Sequence, residues 1–286
     1  MSNFNKVAVL GFGKMGGGIA QVVAQSGREV IVLDLNDAAI EAGRQRVSDF
    51  LNDGIRRGKI DGARRDEVLA RITGTTDVAG LAGVELVIEA AAEVREIKRD
   101  LFARVAAIVG DEAVITTNTS AISVSDLATS VPRPERFAGL HFFNPAQLMK
   151  LVEVVGALQS DPTVIRDLVA FGEDIGKIAV VVKDRPGFLI NSLLMPYLND
   201  VVQELDDGLA SAEDIDTAIK LGLGYKQGPL ELLDLIGLDV HAHATHAAYE
   251  ATFDSRFAPP PLLQAMVHAG TIGNKSGRGF RAGKDA

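Results

Sequence analysis

The sequence predicts an α/β protein in which a doubly wound, mostly parallel sheet is followed by a smaller all-helical domain. Three observations carry that prediction. Short apolar runs alternate with helical periodicity from residue 7 to residue 182, the pattern of strands joined by crossover helices. A Pro-Gly hinge at Lys183-Asp184-Arg185-Pro186-Gly187 ends the alternation, and the strong periodic segments beyond it read as helix. The length of 286 residues suits two domains with a core each, since domains usually run to about 100–200 residues. The expected division is residues 1–184 and 185–286.

Composition narrows the chemistry. The chain has no cysteine, so disulfides, thiolate metal sites and cysteine nucleophiles are excluded. A formal net charge of −9 argues against nucleic-acid binding, which depends on clustered Lys and Arg neutralising phosphates. No apolar run approaches the about 20 residues that span a bilayer, so no membrane partner is expected. Met1 to Lys6 lead straight into a strand with no basic leader, and the expected location is cytoplasmic.

The first element is an apolar strand, Val7 to Leu10, followed at once by Gly11-Phe12-Gly13-Lys14-Met15-Gly16 and a helix expected over Gly17 to Ser26. Strand, glycine loop and helix in this order form a dinucleotide-binding fingerprint of a Rossmann-like sheet. Gly11 makes the tight turn, Gly13 lets a pyrophosphate approach the backbone, and Gly16 lets helix and strand pack closely. A second strand, Glu29 to Leu33, ends in Asp34, where an acidic side chain meets the adenine ribose hydroxyls and repels a 2′-phosphate. NAD is therefore favoured over NADP. Asn36 and Asp37 are better placed than Asp34 to start the next helix near Ala38.

Residues 49–71 read as two polar helical pieces around a basic stretch, Arg56, Arg57 and Lys59. Two readings stay open from the residues alone: a solvated face, or an arm that contacts the phosphates of a large anionic substrate. Strands resume at Leu86 to Ala90, before Glu93 and a helix carrying Lys98, and at Ala113 to Thr117, before Asn118 and Ser120. Polar groups just past strand ends lie where ligands enter a doubly wound sheet. Glu93 and Ser120, with Ser123, also suit helix starts, and capping and ligand binding can coexist.

Phe137 to Phe143 carries His141, and Leu151 to Val155 carries Glu153, with Asn144-Pro145 as a turn signal between them. That turn can bring the two runs side by side. An imidazole beside a carboxylate is a general acid/base; the pair by itself is equally readable as incidental. A last apolar run, Ala179 to Val182, closes the α/β pattern.

Beyond the hinge, helices are expected over Phe188 to Glu204, Ala212 to Lys220, Leu230 to Ile236, Asp239 to Ala251 and Pro261 to Ala269. The first has a broad apolar face from Phe188 to Val201, readable as ordinary core or as a subunit interface, with Asn191 its odd polar residue. His241, His243 and His246 lack a metal-binding pattern such as His-Glu-x-x-His, and no metal is expected.

Taken in order from end to end, the glycine loop, Asn118-Thr119-Ser120, His141-Phe142-Phe143-Asn144-Pro145, Leu151-Val152-Glu153-Val154-Val155, Asp184-Arg185-Pro186-Gly187-Phe188-Leu189-Ile190-Asn191, Gly228-Pro229-Leu230-Glu231, Gly237-Leu238-Asp239 and Lys275-Ser276-Gly277-Arg278-Gly279-Phe280 resemble the L-3-hydroxyacyl-CoA dehydrogenase family. The bacterial 3-hydroxybutyryl-CoA dehydrogenases are the branch it resembles most. The resemblance implies an NAD-dependent oxidoreductase that interconverts (S)-3-hydroxyacyl-CoA, with a short acyl chain, and 3-oxoacyl-CoA. It implies His141 as acid/base, Glu153 as its support, and Ser120 and Asn191 on the substrate's oxygens, Asn191 coming from the second domain to complete the site. Glu93, Lys98, Asn118, Asn144 and Lys275 fall at family positions around the cofactor. Arg56, Arg57 and Lys59 fall in the arm that meets CoA phosphates, and the helical domain is the expected homodimer contact. Ala121, and Ala146-Gln147-Leu148 after Asn-Pro, depart from the family pattern, and Gln147 bears on how the acyl end or pantetheine is seated. Two other functions remain open: a non-catalytic NAD-binding relative, and a dehydrogenase of another hydroxy acid, which would not need the basic arm.

Overall fold

A computed structural model describes residues 4–281. The chain divides into two compact units, Met1–Arg185 and Pro186–Ala286. The first is built on an eight-stranded sheet in the order β3-β2-β1-β4-β5-β6-β7-β8. Its strands are β1 (Lys6–Leu10), β2 (Glu29–Leu33), β3 (Ile72–Thr75), β4 (Leu86–Glu89), β5 (Val114–Thr117), β6 (Phe137–Phe142), β7 (Leu151–Gly156) and β8 (Ile178–Lys183). The helices between them are α1 (Lys14–Gln25), α2 (Asp37–Arg56), α3 (Gly62–Ala70), α4 (Arg95–Val109), α5 (Val124–Ala128) and α6 (Pro162–Asp174).

β1, β4 and β5 are buried almost throughout, because helices cover both faces of a parallel sheet. Val7, Val9, Leu86, Ile88 and Val114 are all buried in one core with Ile19 and Val23 of α1. The strand order reverses between β1 and β4, and the crevice past their carboxyl ends is the ligand position of such sheets.

Four local features differ from the sequence reading. α1 starts at Lys14 rather than Gly17, because Gly13 already serves as its N-cap and its carbonyl accepts the Gly17 N–H at 2.8 Å. The basic stretch does not split into two new helices: its first piece is the end of the 20-residue α2, capped by the Asn36 side chain, and only α3 is separate. The four-residue edge strand β3, with a glycine inside, carries too little apolar pattern to announce itself. The parallel alternation also breaks once: β7 runs antiparallel to β6, a short connection that needs no crossover helix.

The second unit is helical: α7 (Ile190–Asp206), α8 (Ala212–Leu223), α9 (Pro229–Ile236), α10 (Leu238–Thr252) and α11 (Pro261–His268). Leu198, Val202, Leu230, Leu233, Leu238 and Leu263 form its core. The broad apolar face of α7 divides between two fates: Leu198 and Val201 are buried, while Leu193 stays 66% exposed. No helix among the described residues is long and apolar enough to cross a membrane.

Candidate active site

A cavity of about 700 Å³ opens past β1, β2 and β4, and Gly11, Gly13, Asp34, Ala90 and Ala91 are among its walls. Gly11 stands at φ +93°, and a Cβ there would lie 2.9 Å from the Ala90 carbonyl oxygen. Gly16 is packed so tightly under the turn that a Cβ would sit 1.8 Å from the Gly11 oxygen. Nothing lies within 4 Å of where a Gly13 side chain would stand, so the start of α1 is bare toward the cavity. These are the conditions a pyrophosphate needs: unobstructed amides and the positive end of a helix. The residues present therefore fit a dinucleotide. Asp34 is oriented by its own surroundings, since Oδ2 accepts the Phe12 N–H at 2.6 Å and Oδ1 the Leu35 N–H at 2.7 Å. Phe12 contributes that amide while its ring is buried, packed so closely against α2 that a Cβ on Gly43 would lie 2.3 Å from it. Lys14 is exposed and Met15 leans on the core.

His141 and Glu153 are directly opposite each other in the β6–β7 ladder. Cross-strand neighbours on one face have Cβ atoms about 5 Å apart, near enough for the two side chains to meet. His141 Nδ1 lies 2.7 Å from Glu153 Oε2, and the residues are 6% and 0% exposed. The Phe143 ring stands 4.7 Å from the imidazole, centroid to centroid. The ladder thus performs what spacing left open, and the turn residues only permit it.

Asn118 ties β5 to this pair: its Oδ1 accepts the Phe142 N–H at 2.8 Å, one residue past His141. Ser120 donates its backbone N–H to Glu93 at 3.1 Å, and its hydroxyl has no partner among the described residues. Glu93 precedes α4 and also takes the Thr119 hydroxyl. Burial works against its charge, yet Lys98 beside it and the bonds from Thr119, Lys98 and Ser120 hold its carboxyl below the usual carboxylate range. Lys98 is 1% exposed, with its ammonium 2.6 Å from Glu89 and 3.1 Å from Glu93. Its ammonium bridges the two carboxylates at the start of α4.

Asn144 begins a loop that sequence reasoning located but did not explain. Its peptide bond to Pro145 is cis. Lys177, just before β8, is buried and donates to the carbonyls of Ala146 at 2.6 Å and Met149 at 2.8 Å, while burial pushes its ammonium below the ordinary lysine range. Gln147 turns toward α1, where its amide donates to Gln21 at 3.3 Å and fills the space beside Gly18. These contacts pack Gln147 on the dinucleotide helix.

Arg56 and Arg57 are exposed and both pair with Asp53, at 3.0 and 2.7 Å; Lys59 is exposed as well. In the helical unit, Asn191 lies half-buried in the first turn of α7. Lys275 pairs with Asp239 at 3.0 Å, so any cofactor contact would have to share that ion pair. His241 is buried against Asn199 and His246 pairs with Glu250; among the described residues no three groups gather as metal ligands.

A glycine cradle beside an acidic residue at the end of β2, on the same sheet as a buried imidazole–carboxylate pair, defines an NAD-binding oxidoreductase. Residues 6–185 match the family model described as the NAD binding domain of 3-hydroxyacyl-CoA dehydrogenase, and residues 187–283 match its C-terminal domain. The chain belongs to the 3-hydroxyacyl-CoA dehydrogenase family. It is similar to a probable 3-hydroxybutyryl-CoA dehydrogenase of Deinococcus radiodurans, 42% identical over 96% of this chain and 99% of that protein. A 3-hydroxyadipyl-CoA dehydrogenase of Escherichia coli is 40% identical over 100% of this chain and 61% of its own length. The crystal structure of (S)-3-hydroxybutyryl-CoA dehydrogenase from Ralstonia eutropha superposes with a TM-score of 0.95 at 38% identity, covering 98% of this chain and 99% of that one.

Proposed function

We propose that the chain interconverts (S)-3-hydroxyacyl-CoA and 3-oxoacyl-CoA with His141 as general acid/base and Glu153 as its support. The observation that carries this reading is the buried 2.7 Å contact between His141 Nδ1 and Glu153 Oε2. An ionised Glu153 can only accept, so Nδ1 holds the proton and Nε2 is the basic nitrogen of the neutral ring. Bound NAD supplies the hydride acceptor for C3. As the hydride leaves, His141 Nε2 takes the proton of the 3-hydroxyl, and Glu153 offsets the charge that appears on the ring. In reduction the imidazolium returns that proton to the carbonyl oxygen. The uncommitted Ser120 hydroxyl and Asn191 hold the substrate's oxygens. Asn118 and Asn144 support the histidine segment, Glu93 faces the nicotinamide ribose, and Arg56, Arg57 and Lys59 meet CoA phosphates.

A short acyl chain is the proposed substrate, following the 3-hydroxybutyryl-CoA relatives. The 3-hydroxyadipyl-CoA relative differs by a distal carboxylate, so the two acyl groups are the informative pair. Absorbance at the nicotinamide band with acetoacetyl-CoA and NADH, beside NADPH and free acetoacetate, tests the reading. Oxidation of 3-hydroxybutyryl-CoA and 3-hydroxyadipyl-CoA then ranks the acyl groups. Turnover only with CoA esters is expected; none with any acyl-CoA refutes it. Exposed Leu193, Leu221 and Leu235 of the helical unit support the homodimer expectation, and a monomeric mass by light scattering would rule it out.

A further inference from the structure

Glu89, the last residue of β4, is 0% exposed and none of the residues so far given a role in the reaction. Its carboxylate is nonetheless fully occupied. Oε1 accepts from the Ala91 N–H at 2.7 Å and the Lys98 ammonium at 2.6 Å, and Oε2 from the Thr117 hydroxyl at 2.7 Å. Its backbone carbonyl accepts the Asn118 N–H at 2.7 Å. Lys98 passes the link to Glu93, 3.1 Å away. Glu93 holds the Thr119 hydroxyl and the Ser120 amide, and Thr119 Oγ1 accepts the Ala121 and Ile122 amides at 3.3 and 3.0 Å. Residues 118–122 belong to neither helix nor strand, so these side-chain acceptors replace a backbone ladder for their amides.

We propose that Glu89 is a positioning residue: through Lys98 and Glu93 it holds the 118–122 loop in one conformation and presents the Ser120 hydroxyl to the crevice. The role of that hydroxyl rests on the dehydrogenase reading above. One ammonium is shared by two carboxylates; Glu89 and Lys98 are away from water while Glu93 is 43% exposed at its side chain, and the buried two depend on each other most, because a buried charge left without its partner carries its full desolvation cost. With Glu89 in place, Lys98 is held at the start of α4 and Glu93 has a fixed cation to lean on. A loop ordered before substrate arrives loses no conformational entropy on binding, which raises the rate through orientation.

Glu89→Gln isolates the charge. The amide oxygen can still accept from Ala91 and Lys98, and the amide nitrogen can donate to a Thr117 hydroxyl that has turned around. Lys98→Met cuts the relay itself. Hydrogen exchange of the peptide covering residues 118–122, measured on the free protein, should accelerate roughly tenfold or more in both variants, as expected when a buried network is half satisfied. With acetoacetyl-CoA and NADH, kcat/KM should fall about tenfold in Glu89→Gln, and that loss should shrink to less than about twofold in a Ser120→Ala background, because coupled residues are not additive. A purely structural Glu89 would instead lower the melting temperature and act additively with Ser120→Ala. Unchanged exchange in both variants, or full additivity, overturns the proposal. If Lys98→Met does not fold, Glu89→Gln alone decides. If the wild-type protein turns over no acyl-CoA, the dehydrogenase reading falls, and the exchange data alone judge the relay.

Discussion

Both units bury polar side chains, and they use them in opposite ways. In the helical unit, His241 meets Asn199 at 3.0 Å, Asn199 donates to Thr245 and to the Arg256 carbonyl, and Thr245 donates to the Phe257 carbonyl. Asp216 accepts the first amides of α9, and Asp234 accepts the amides of Phe280 and Arg281. Each of these networks closes on the backbone and pins a helix end or a loop. In the sheet unit, the networks run to strand ends and stop at groups with capacity to spare: Asp34 on the wall of the 700 Å³ space, and Ser120, whose hydroxyl has no partner among the described residues. Burial of a polar group is therefore no mark of function. What marks it is a network that fixes one member firmly and leaves that member's chemistry available.

Exchanging the two buried histidines breaks the comparison most sharply. His141→Ala should lower kcat by about a thousandfold, roughly 4 kcal/mol, while nicotinamide binding followed by fluorescence persists. His241→Ala should leave the rate per folded molecule near the wild-type value and lower the melting temperature; equal rate losses in the two would erase the distinction.

The next effect is on stability. Burial lowers the His241 pKa from 6.5 to about 4, so the folded protein keeps it neutral where the unfolded chain takes up a proton. Above pH 6.5 this difference costs nothing, and between pH 6.5 and 4 stability is lost as pH falls, by about 3 kcal/mol at the lower end. Urea midpoints at pH 7 and pH 4.5 should show a drop that His241→Gln flattens; the same drop in both proteins would assign it elsewhere.

Smaller changes sharpen the sheet side. Glu153→Gln keeps an acceptor for Nδ1 but removes the charge, so kcat should fall by roughly a hundredfold, less than for His141→Ala, and an unaltered rate would dissolve the pair. Asp34→Ala should weaken the preference for NADH over NADPH by about tenfold, read from the ratio of kcat/KM values, since only the 2′-position senses that carboxylate. Constant selectivity would contradict the ribose assignment.

Much of this was legible in the chain because it is local. The glycine loop follows its strand directly, Asn36 caps α2 with its own side chain, and the Pro-Gly hinge interrupts periodicity within a few residues. Gln147, Lys177 and Glu89 were illegible for the converse reason. Gln147 meets Gln21 from 126 positions away, and Lys177 reaches carbonyls 31 and 28 positions back. Glu89 is the last residue of an apolar strand, and nothing nearby in sequence foretells the Lys98 and Thr117 groups that neutralise and saturate it. Lys98 entered only through the family resemblance; its burial and its ion pairs with Glu89 and Glu93 belong to the fold.

The sequence by itself determined that strands alternate with helices, that a dinucleotide fits the first turn, and which residue types are available to move a proton, because backbone preferences and periodicity act over a few residues. Only the tertiary structure decided that β7 turns back antiparallel along β6. That register sets Glu153 directly across from His141, and side chains on adjacent strands meet only where register and face agree. The partnership that makes an imidazole a useful base is thus a property of the ladder rather than of the twelve positions between the two residues.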